Sequence, residues 1–405
     1  MGYEPLEEEK KSMRNKIVAV VMMISMIFLG GCWGQREVDE LAWVMALGID
    51  EGSTPGTYLI TYQVVLPKKG SNSGESDSWT VSVEAASIKE SMNRLYSILY
   101  KQPFMGTMKV VVFGDKLARD KGLNEAADFL QRNYIFRPTI SLIITPGKAK
   151  DILNVKTRVG QASSISLLRI IDNSNKDSAI PNAELDHFLP LMEREQAAMV
   201  LPVVDYLKPN EEKVQYEGKD DEPQEFQFRG GAVLDKDRLK DYLTVQETRG
   251  FMWLDDQVVE VFLEGEMDNG ISVGGDVTEA KTKYSAKEID GKIGVQYKIK
   301  VKSLIQEVHN EGSMNLEQYK DFISKAEVAF EDEIKKECES TISKSKALKV
   351  DFLGLGRKIE QKYPEYWKQV KDQWEEKLAD VPVSVDIEVI NTYGGSTRNG
   401  LPNFQ

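Results

Sequence analysis

The sequence predicts an α+β protein with two to three mixed α/β domains, whose mixed or antiparallel sheets are covered by helices, behind an N-terminal signal peptide. Three observations lead to this fold class. Segments that alternate apolar and polar residues are interleaved with segments whose apolar residues recur every three or four positions, so one chain contains both strands and helices. At 405 residues, the chain is longer than one typical domain. A short apolar segment near the start has the length of an export signal.

The apolar segment near the N-terminus decides where the rest of the chain is expected to lie. Arg14 and Lys16 precede it, and residues 17–29 form a segment of thirteen uncharged residues that is apolar apart from Ser25. A helix that spans a bilayer needs about 20 apolar residues, whereas a secretory signal has an apolar core of about 7–15. We therefore expect residues 1–31 to be a signal peptide. A buried core helix is the less favoured alternative, because of the position and the basic flank.

The end of this segment resembles a lipobox, the cleavage site of bacterial lipoproteins, through Leu29, Gly31 and Cys32. In a lipobox the cysteine receives diacylglycerol. Cys32 is therefore the expected lipidation site and the first residue of the mature chain, whether translation starts at Met1 or at Met13. Each buried methylene of an acyl chain contributes about 0.8 kcal/mol, so two or three chains on Cys32 would hold the protein at a membrane.

The charge balance argues against nucleic acid as a partner. The chain has 52 basic and 65 acidic residues and a net charge of −13. Affinity for DNA or RNA depends on clustered lysines and arginines that release counterions from phosphates, and an acidic chain does not offer them. Cys338 is the second of two cysteines, so lipidation of Cys32 would leave no internal disulfide. We expect an ectodomain that is held at the membrane by its lipid.

The first half of the chain predicts a mixed sheet covered by helices. An alternating pattern in residues 57–66 indicates a half-buried strand, which should pair as a hairpin with the apolar segment 41–50. Further strands are expected at 79–83, 108–114 and 139–145, and helices at 84–100 and 123–133. Residues 161–207 are predicted to be mostly helical.

The second half of the chain predicts strands followed by helices and a last strand. Residues 229–243 are predicted to form a strand, a turn and a short helix. In the strand 293–302, apolar residues alternate with Lys298, Lys300 and Lys302. These lysines form either a docking face for an acidic partner or lipid headgroups, or a solvated sheet face, which is the favoured interpretation. Helices are expected at 315–346 and 366–379, and a strand at 383–389.

The residues that usually carry out catalysis or bind metals are sparse. His187 and His309 are the only histidines, and neither has a cysteine nearby in sequence. Cys338 is interpreted as a structural or exposed thiol, and carboxylate pairs such as Asp220 with Asp221, or Asp255 with Asp256, as solvated loop residues. The sequence therefore predicts no catalytic residue, no metal site and no cofactor, and a protein that is not an enzyme. An acid-catalysed hydrolase would need convergent titratable residues that are not evident here.

Three stretches together resemble the Ger(x)C family of spore germination lipoproteins, the C subunits of nutrient germinant receptors. They are GCWGQREVDELAWVMALGID at 31–50, the segment from RGGAVLDKDRL to ETRGFMWL at 229–254, and DFLGLGRKIEQKYPEYWKQVKDQWEEKLADVPVSVDIEVI at 351–390. The last is the most specific, because a set of residues matches the family pattern in order and spacing. The set consists of Gly354, Gly356, Arg357, Pro364, Trp367 and Trp374.

The resemblance implies a fold of three mixed α/β domains and therefore a domain boundary near residue 300. The other boundary follows from the charged, apolar-poor composition at 208–226. The expected division is a signal peptide at 1–31, an N-terminal α/β domain at 32–207, a charged linker at 208–226, a middle mainly β domain at 227–300, a C-terminal α/β domain at 301–393 and a flexible tail at 394–405.

The resemblance also implies a function and partners. It implies a non-enzymatic subunit that is lipid-anchored on the outer face of the inner spore membrane, works with two integral membrane subunits, A and B, and is needed for receptor assembly or signalling in germination. From another functional class, a solute-binding lipoprotein that delivers a small ligand to a membrane transporter stays open. That alternative predicts a cleft between two similar lobes, whereas the two halves of the sequence show no matching pattern of strands and helices.

Overall fold

A computed structural model describes residues 4–28, 40–66, 77–156, 162–174, 180–182, 184–192, 198–206, 225–267, 271–309 and 316–391. The predicted lipidation site Cys32 lies outside the described residues, as do most of the predicted linker at 208–226 and the whole predicted tail at 394–405.

The N-terminal segment forms helix α1, Glu4–Phe28. Its side chains are exposed between residues 11 and 23. Among the described helices, none combines the length and the apolar character that a membrane crossing requires.

The first sheet contains nine of the described strands: β1 (Leu41–Glu51), β2 (Tyr58–Leu66), β3 (Asp77–Ala85), β4 (Gln102–Phe104), β5 (Val110–Gly114), β6 (Ser141–Thr145), β7 (Ala198–Tyr206), β8 (Phe226–Asp235) and β9 (Arg238–Leu243). Their order is β3-β2-β1-β5-β6-β7-β8-β9, and β4 pairs with β1. The strands β1, β5, β6 and β7 are parallel to one another, whereas the pairs at either side are antiparallel. The mixed sheet and the β1–β2 hairpin are confirmed. The prediction that β2 is half-buried is wrong: Thr61 and Gln63 are buried as well, because one helix that covers the sheet contacts one face of the strand and a second helix contacts the other.

Helices cover both faces of this sheet. They are α2 (Ile88–Ile98), α3 (Asp115–Asp120), α4 (Asn124–Arg132), α5 (Ala149–Asn154), α6 (Ser163–Ser174) and α7 (Leu185–Met192). The central strand β5, VVVFG, is buried along its whole length, because a parallel strand in the middle of a sheet has helices on both sides. Two separate apolar clusters, one built around Val111 and Phe113 and the other around Val110 and Val112, lie on opposite faces of β5.

Strand β7 corrects the prediction that residues 161–207 are mostly helical. Helices α6 and α7 do lie in this range, but residues 198–206 form a strand between β6 and β8. The segment MVLPVV is buried almost throughout, so it lacks the alternation that marks a half-buried strand. Its Pro202 is tolerated because the register with β8 shifts between Pro202 and Val204, where no regular ladder bond is required.

Strand β9 corrects the short helix predicted within residues 229–243. Leu239 and Leu243 are four residues apart, a spacing that fits one face of a helix or of a strand, and both are buried on a strand that pairs back onto β8. The turn is made by Lys236, whose φ of 59° lies in the left-handed region. The helix begins afterwards: Thr244 and Glu247 form a reciprocal capping box at the start of α8 (Val245–Leu254).

The second sheet contains β10 (Val261–Glu266), β11 (Ser272–Ile289), β12 (Lys292–His309) and β13 (Val383–Asn391), in that order. The first two pairs are antiparallel, and β12 and β13 are parallel. The long hairpin of β11 and β12 turns at Asp290 and Gly291, which both have positive φ, as a tight two-residue hairpin turn requires.

Helices α9 (Leu316–Leu348), α10 (Leu355–Lys362), α11 (Pro364–Val370) and α12 (Trp374–Lys377) accompany this second sheet. The single helix predicted at 366–379 is wrong in detail, since a 3-10 turn at Lys371–Gln373 separates α11 from α12. The four apolar residues that predicted it, Trp367, Val370, Trp374 and Leu378, are nevertheless all buried.

Helix α9 carries one continuous buried stripe. Phe322, Ala326 and Phe330, which the sequence predicted, are buried. The stripe continues at the same spacing of four residues through further buried side chains. These are Ile334, Cys338 and Ile342. A spacing of four residues slightly exceeds the helical turn of about 3.6 residues, so the stripe winds around the helix. All six side chains belong to the apolar cluster that includes the second sheet and α8.

The chain passes from the first sheet to the second through α8. Strands β8 and β9 follow the predicted linker at 208–226, yet they extend the first sheet, and β10 begins the second. Helix α8 packs against β8 and β9 of the first sheet as well as against α9 and β12. The predicted domain limits at 208–226 and near 300 stay predictions.

Helix α8 approaches α9 most closely at Gly250. A Cβ atom at this position would lie 2.2 Å from the backbone oxygen of Glu337 and 2.2 Å from the hydroxyl of Thr341. Because both atoms belong to buried residues in the second half of α9, neither can move away freely. A glycine is therefore required for this contact between the helices.

We expect Gly250→Ala to lower the free energy of unfolding by about 1–3 kcal/mol, the usual cost of forcing an extra carbon into a packed interior. Gly147→Ala is the matched control, since a Cβ at Gly147 would meet nothing within 4 Å. It should change stability by less than about 0.5 kcal/mol. Urea denaturation followed by circular dichroism measures both, and equal effects of the two substitutions would contradict the close contact.

Candidate functional site

The predicted site residues are placed as follows. Cys32 and the pair of Asp220 and Asp221 lie outside the described residues. His187 is exposed on α7, and the side chain of His309 is likewise outside the described part. Within the described ranges, no group of three or more histidine, cysteine, aspartate or glutamate residues is arranged to hold a metal ion.

Cys338 is a core residue on the buried stripe of α9. Its side chain is fully buried, and burial raises the pKa of its thiol well above the ordinary value. A thiol of this kind is protonated at neutral pH and inaccessible, whereas a nucleophilic cysteine needs an exposed and stabilised thiolate. The structural interpretation of Cys338 therefore fits its surroundings.

A buried carboxylate joins α8 to α9. Glu337 is 1% exposed. It accepts hydrogen bonds from Arg249 Nε at 2.6 Å and from Trp253 Nε1 at 2.9 Å. Burial raises the pKa of Glu337, and the two donors, above all the Arg249 guanidinium, act in the opposite direction. Close by, Thr341 Oγ1 donates to the backbone oxygen of Glu247 at 2.6 Å.

A second, half-buried carboxylate organises the stretch that carries the family resemblance. Asp351 accepts hydrogen bonds from the backbone N–H groups of Leu355 at 2.8 Å and Gly356 at 2.7 Å, and from Trp374 Nε1 at 2.9 Å. It thereby binds two of the unpaired N–H groups at the start of α10 and ties α12 to the same point. Gly354, with φ of 63°, allows the chain to turn into α10.

The glycine and tryptophan residues of this stretch pack against one another. A Cβ atom at Gly356 would lie 2.5 Å from the ring of Trp367. The rings of Trp367 and Trp374 meet edge to face, with centroids 4.8 Å apart and an interplanar angle of 71°. Pro364 is the first residue of α11, where its missing N–H is not needed. These family-matching residues therefore stabilise the fold of the C-terminal part.

Lys358 of α10 is a buried cation. It is 3% exposed, and its Nζ donates to the backbone oxygen of Leu353. The same Nζ lies 4.9 Å from the ring centroid of Tyr284 and 5.4 Å from that of Tyr297, which places it within reach of both π faces. Burial lowers the pKa of Lys358 to about 8, although Asp255 and Asp351 act in the opposite direction.

An open groove of about 630 Å³ lies beside these residues. One wall comes from β7 of the first sheet and from α7, and the other from the end of α8 and from the segment 351–371. Its apolar floor is formed by Phe188, Met199, Leu201, Phe251, Phe352 and Trp367. Its polar rim includes Asn182, His187, Asp255, Arg357, Glu360 and Lys371.

The lysine face predicted on β12 lies on the outer surface of the second sheet. Lys298, Lys300 and Lys302 are exposed there. Lys300 Nζ lies 2.7 Å from a carboxylate oxygen of Glu388, and Lys302 Nζ lies 2.5 Å from one of Glu279. Acidic side chains on the same face thus reduce its positive charge, which favours a solvated sheet face over a docking face for an acidic partner.

The groove was not predicted from the sequence, although Arg357 and Trp367 belong to the residues that match the family pattern. The walls join residues that are more than 150 positions apart in the chain, such as Phe188 and Phe352. Phe251 and Phe352, whose ring centroids are 6.1 Å apart, connect α8 to the second wall. No spacing within one segment signals such a site.

Two family models match most of the chain. The model described as "Spore germination protein N-terminal domain" matches residues 34–206. The model described as "Spore germination B3/ GerAC like, C-terminal" matches residues 229–393.

Curated relatives are similar along nearly their whole length. Spore germination protein KC of Bacillus subtilis (strain 168) is 28% identical over an alignment that covers 96% of this chain and 97% of that protein. Spore germination protein B3 of the same strain is 23% identical, with 92% of this chain and 96% of that protein covered.

A solved structure shares the fold. The crystal structure of the GerBC protein is similar to this chain with a TM-score of 0.50 and 20% sequence identity, covering 86% of this chain and 97% of that one. At this identity the likeness concerns the fold.

The buried amine of Lys358 should make stability depend on pH. Its pKa is about 8 in the folded chain and near 10.5 when unfolded, so between these values the unfolded chain binds more protons. Stability should therefore rise with pH in this range. We expect the free energy of unfolding of the unmodified chain to rise relative to that of Lys358→Met between pH 8 and pH 10.5, and the difference to be constant below pH 8. Urea denaturation at a series of pH values measures it, and a difference that does not change up to pH 10.5 would contradict the assignment.

Proposed function

Because this chain belongs to the Ger(x)C family of spore germination proteins, we propose that it is a lipid-anchored, non-enzymatic subunit of a spore nutrient germinant receptor. The similarity to spore germination protein KC across 96% of the chain is the observation that carries this proposal. The two family models, which together span most of residues 34–393, support it independently of any one relative.

The proposed attachment to the membrane is a lipid on Cys32. The supporting observations are the basic flank at Arg14 and Lys16, the apolar segment at 17–29 and the lipobox pattern that ends at Cys32. Residues 1–31 would be removed as a signal peptide, and the remaining chain would lie on the outer face of the inner spore membrane. Acyl chains would then provide the attachment that the acidic surface does not.

The proposed partners are the A and B integral membrane subunits of the receptor. Confinement of the chain to the membrane plane raises its effective concentration near these subunits, so modest contacts between them suffice for assembly. In this proposal the subunit acts by position, and the charged segment at 208–226 permits adjustment between the N-terminal and the later domains. Its role is in receptor assembly or signalling.

The surroundings of the buried and half-buried ionisable groups support a role without catalysis. Glu337 and Asp351 are occupied by structural hydrogen bonds, and Lys358 donates to a backbone oxygen. The thiol of Cys338 is fully buried. Each of these groups is accounted for by the packing of the C-terminal helices.

Solute delivery to a transporter, the alternative, is less well supported. It expects a cleft between two similar lobes. In the described residues, the first sheet has nine strands and a parallel centre, whereas the second has four strands in a largely antiparallel order. The walls of the groove therefore come from dissimilar parts.

We expect spores that carry Cys32→Ala to lose the response to one class of nutrients, because the subunit would leave the membrane and its partners. Cys338→Ala is the matched control, since it removes the other cysteine and keeps the anchor. Dipicolinate release across a nutrient panel measures germination, and immunoblots of inner-membrane fractions follow this chain and the A and B subunits.

Dipicolinate release and the immunoblots are interpreted together. Loss of one nutrient response in Cys32→Ala but not in Cys338→Ala supports the proposal, and the partner levels separate assembly from signalling. Normal germination on every nutrient, although the Cys32→Ala protein has left the membrane, would overturn the role of the anchor.

A further inference from the structure

The groove between the first sheet and the segment 351–371 has the dimensions of a small-molecule site. Its volume of about 630 Å³ lies within the range of about 300–1,000 Å³ that is typical of such sites. Its floor is aromatic and aliphatic, with Phe188, Phe251, Phe352 and Trp367 from three separate segments of the chain. An apolar group that enters the groove would therefore exchange water for ring and methylene contacts on several sides.

Most polar groups around the groove are already used in the fold. Asp351 accepts three N–H groups, as described above. Gln257 Oε1 accepts the backbone N–H of Asn182 at 2.8 Å, and Gln257 Nε2 donates to Asp255 at 2.8 Å. This chain of hydrogen bonds connects the two walls and closes one end of the groove. Asp255 thus has its own donor there.

Arg357 is a positively charged group on the rim of the groove. It is exposed, lies on α10 above the floor, and makes no ion pair or hydrogen bond with any described residue. A guanidinium presents a fork of N–H donors that matches a carboxylate. Lys371 adds a second positive charge on the same wall. Glu360, one helical turn beyond Arg357, would repel a second negative group on a ligand.

We propose that this groove binds a small molecule with an apolar body, which lies on the aromatic floor, and a single carboxylate, which pairs with Arg357. Binding there is independent of the lipid on Cys32, so the site and the anchor are tested separately. The stretch that carries the family resemblance would then have two roles: its buried residues hold α10 to α12 together, and its exposed Arg357 contacts the ligand.

Three matched probes test the chemistry of the site. They are 3-phenylpropionate, its neutral amide 3-phenylpropionamide and the cationic 3-phenylpropylamine, which share the apolar body and differ in the charged end. Each is titrated calorimetrically into the full chain in detergent, with a titration into detergent alone as the blank. Arg357→Gln removes the proposed partner of the carboxylate. Lys362→Gln is the control, because it removes a positive charge from the same helix outside the groove lining.

The expected result is saturable binding of the carboxylate, with the amide and the amine at least about tenfold weaker, as loss of a charge-assisted hydrogen bond predicts. Arg357→Gln should weaken binding of the carboxylate by a similar factor, and Lys362→Gln should leave it within about twofold. The proposal is overturned if the carboxylate does not bind saturably, if acid and amide bind equally, or if Arg357→Gln binds the acid as well as the unmodified chain does. Arg357 is exposed, so a folding defect is not expected to obscure the comparison.

Discussion

The burial of Glu337 is the constraint on which the arrangement of the described sheets depends. A carboxylate in this position is tolerated only with donors that replace its water, and Arg249 and Trp253 of α8 supply them. Removing one partner of such a buried pair typically costs about 3–5 kcal/mol, so α8 is held against α9 in one register. Gly250 permits the close approach that these bonds need. Because α8 also packs on β8 of the first sheet, the same contact positions both walls of the groove.

The stretch that most specifically resembles the family has closely packed residues. In the stretch 351–374, Asp351 binds the start of α10, Gly356 makes room for a ring, and Trp367 and Trp374 meet edge to face. A matching sequence pattern here therefore reports a shared way of building the C-terminal part, and it does not by itself identify a contact surface. Arg357 differs from its neighbours because it is exposed and its charge is not used within the fold.

The elements that were predicted correctly are those whose apolar residues recur with the period of a helix or a strand. The stripe of α9 is of this kind, because it is buried on a helix whose other side chains are mostly exposed or half-buried. The β1–β2 hairpin was predicted from the alternation in residues 57–66, although β2 is buried on both faces. The prediction failed where the burial of an element does not follow a simple alternation, or where one spacing fits two kinds of element. Strand β7 is buried on both faces and so shows no alternation, and the spacing of Leu239 and Leu243 fits a helix as well as a strand. The groove was not predictable, since its walls meet only in the folded chain. Cys32, in contrast, rests on a local pattern alone.

We propose that the chain works as a membrane-held subunit together with integral partners. Purification of the tagged full chain from detergent-solubilised inner membranes of spores, with quantitative immunoblots for the A and B subunits, tests this proposal. We expect both subunits to be recovered with the chain, and the recovery to fall strongly with Cys32→Ala. Recovery of the chain from the membrane without either subunit, under conditions in which A and B remain associated with each other, would contradict it.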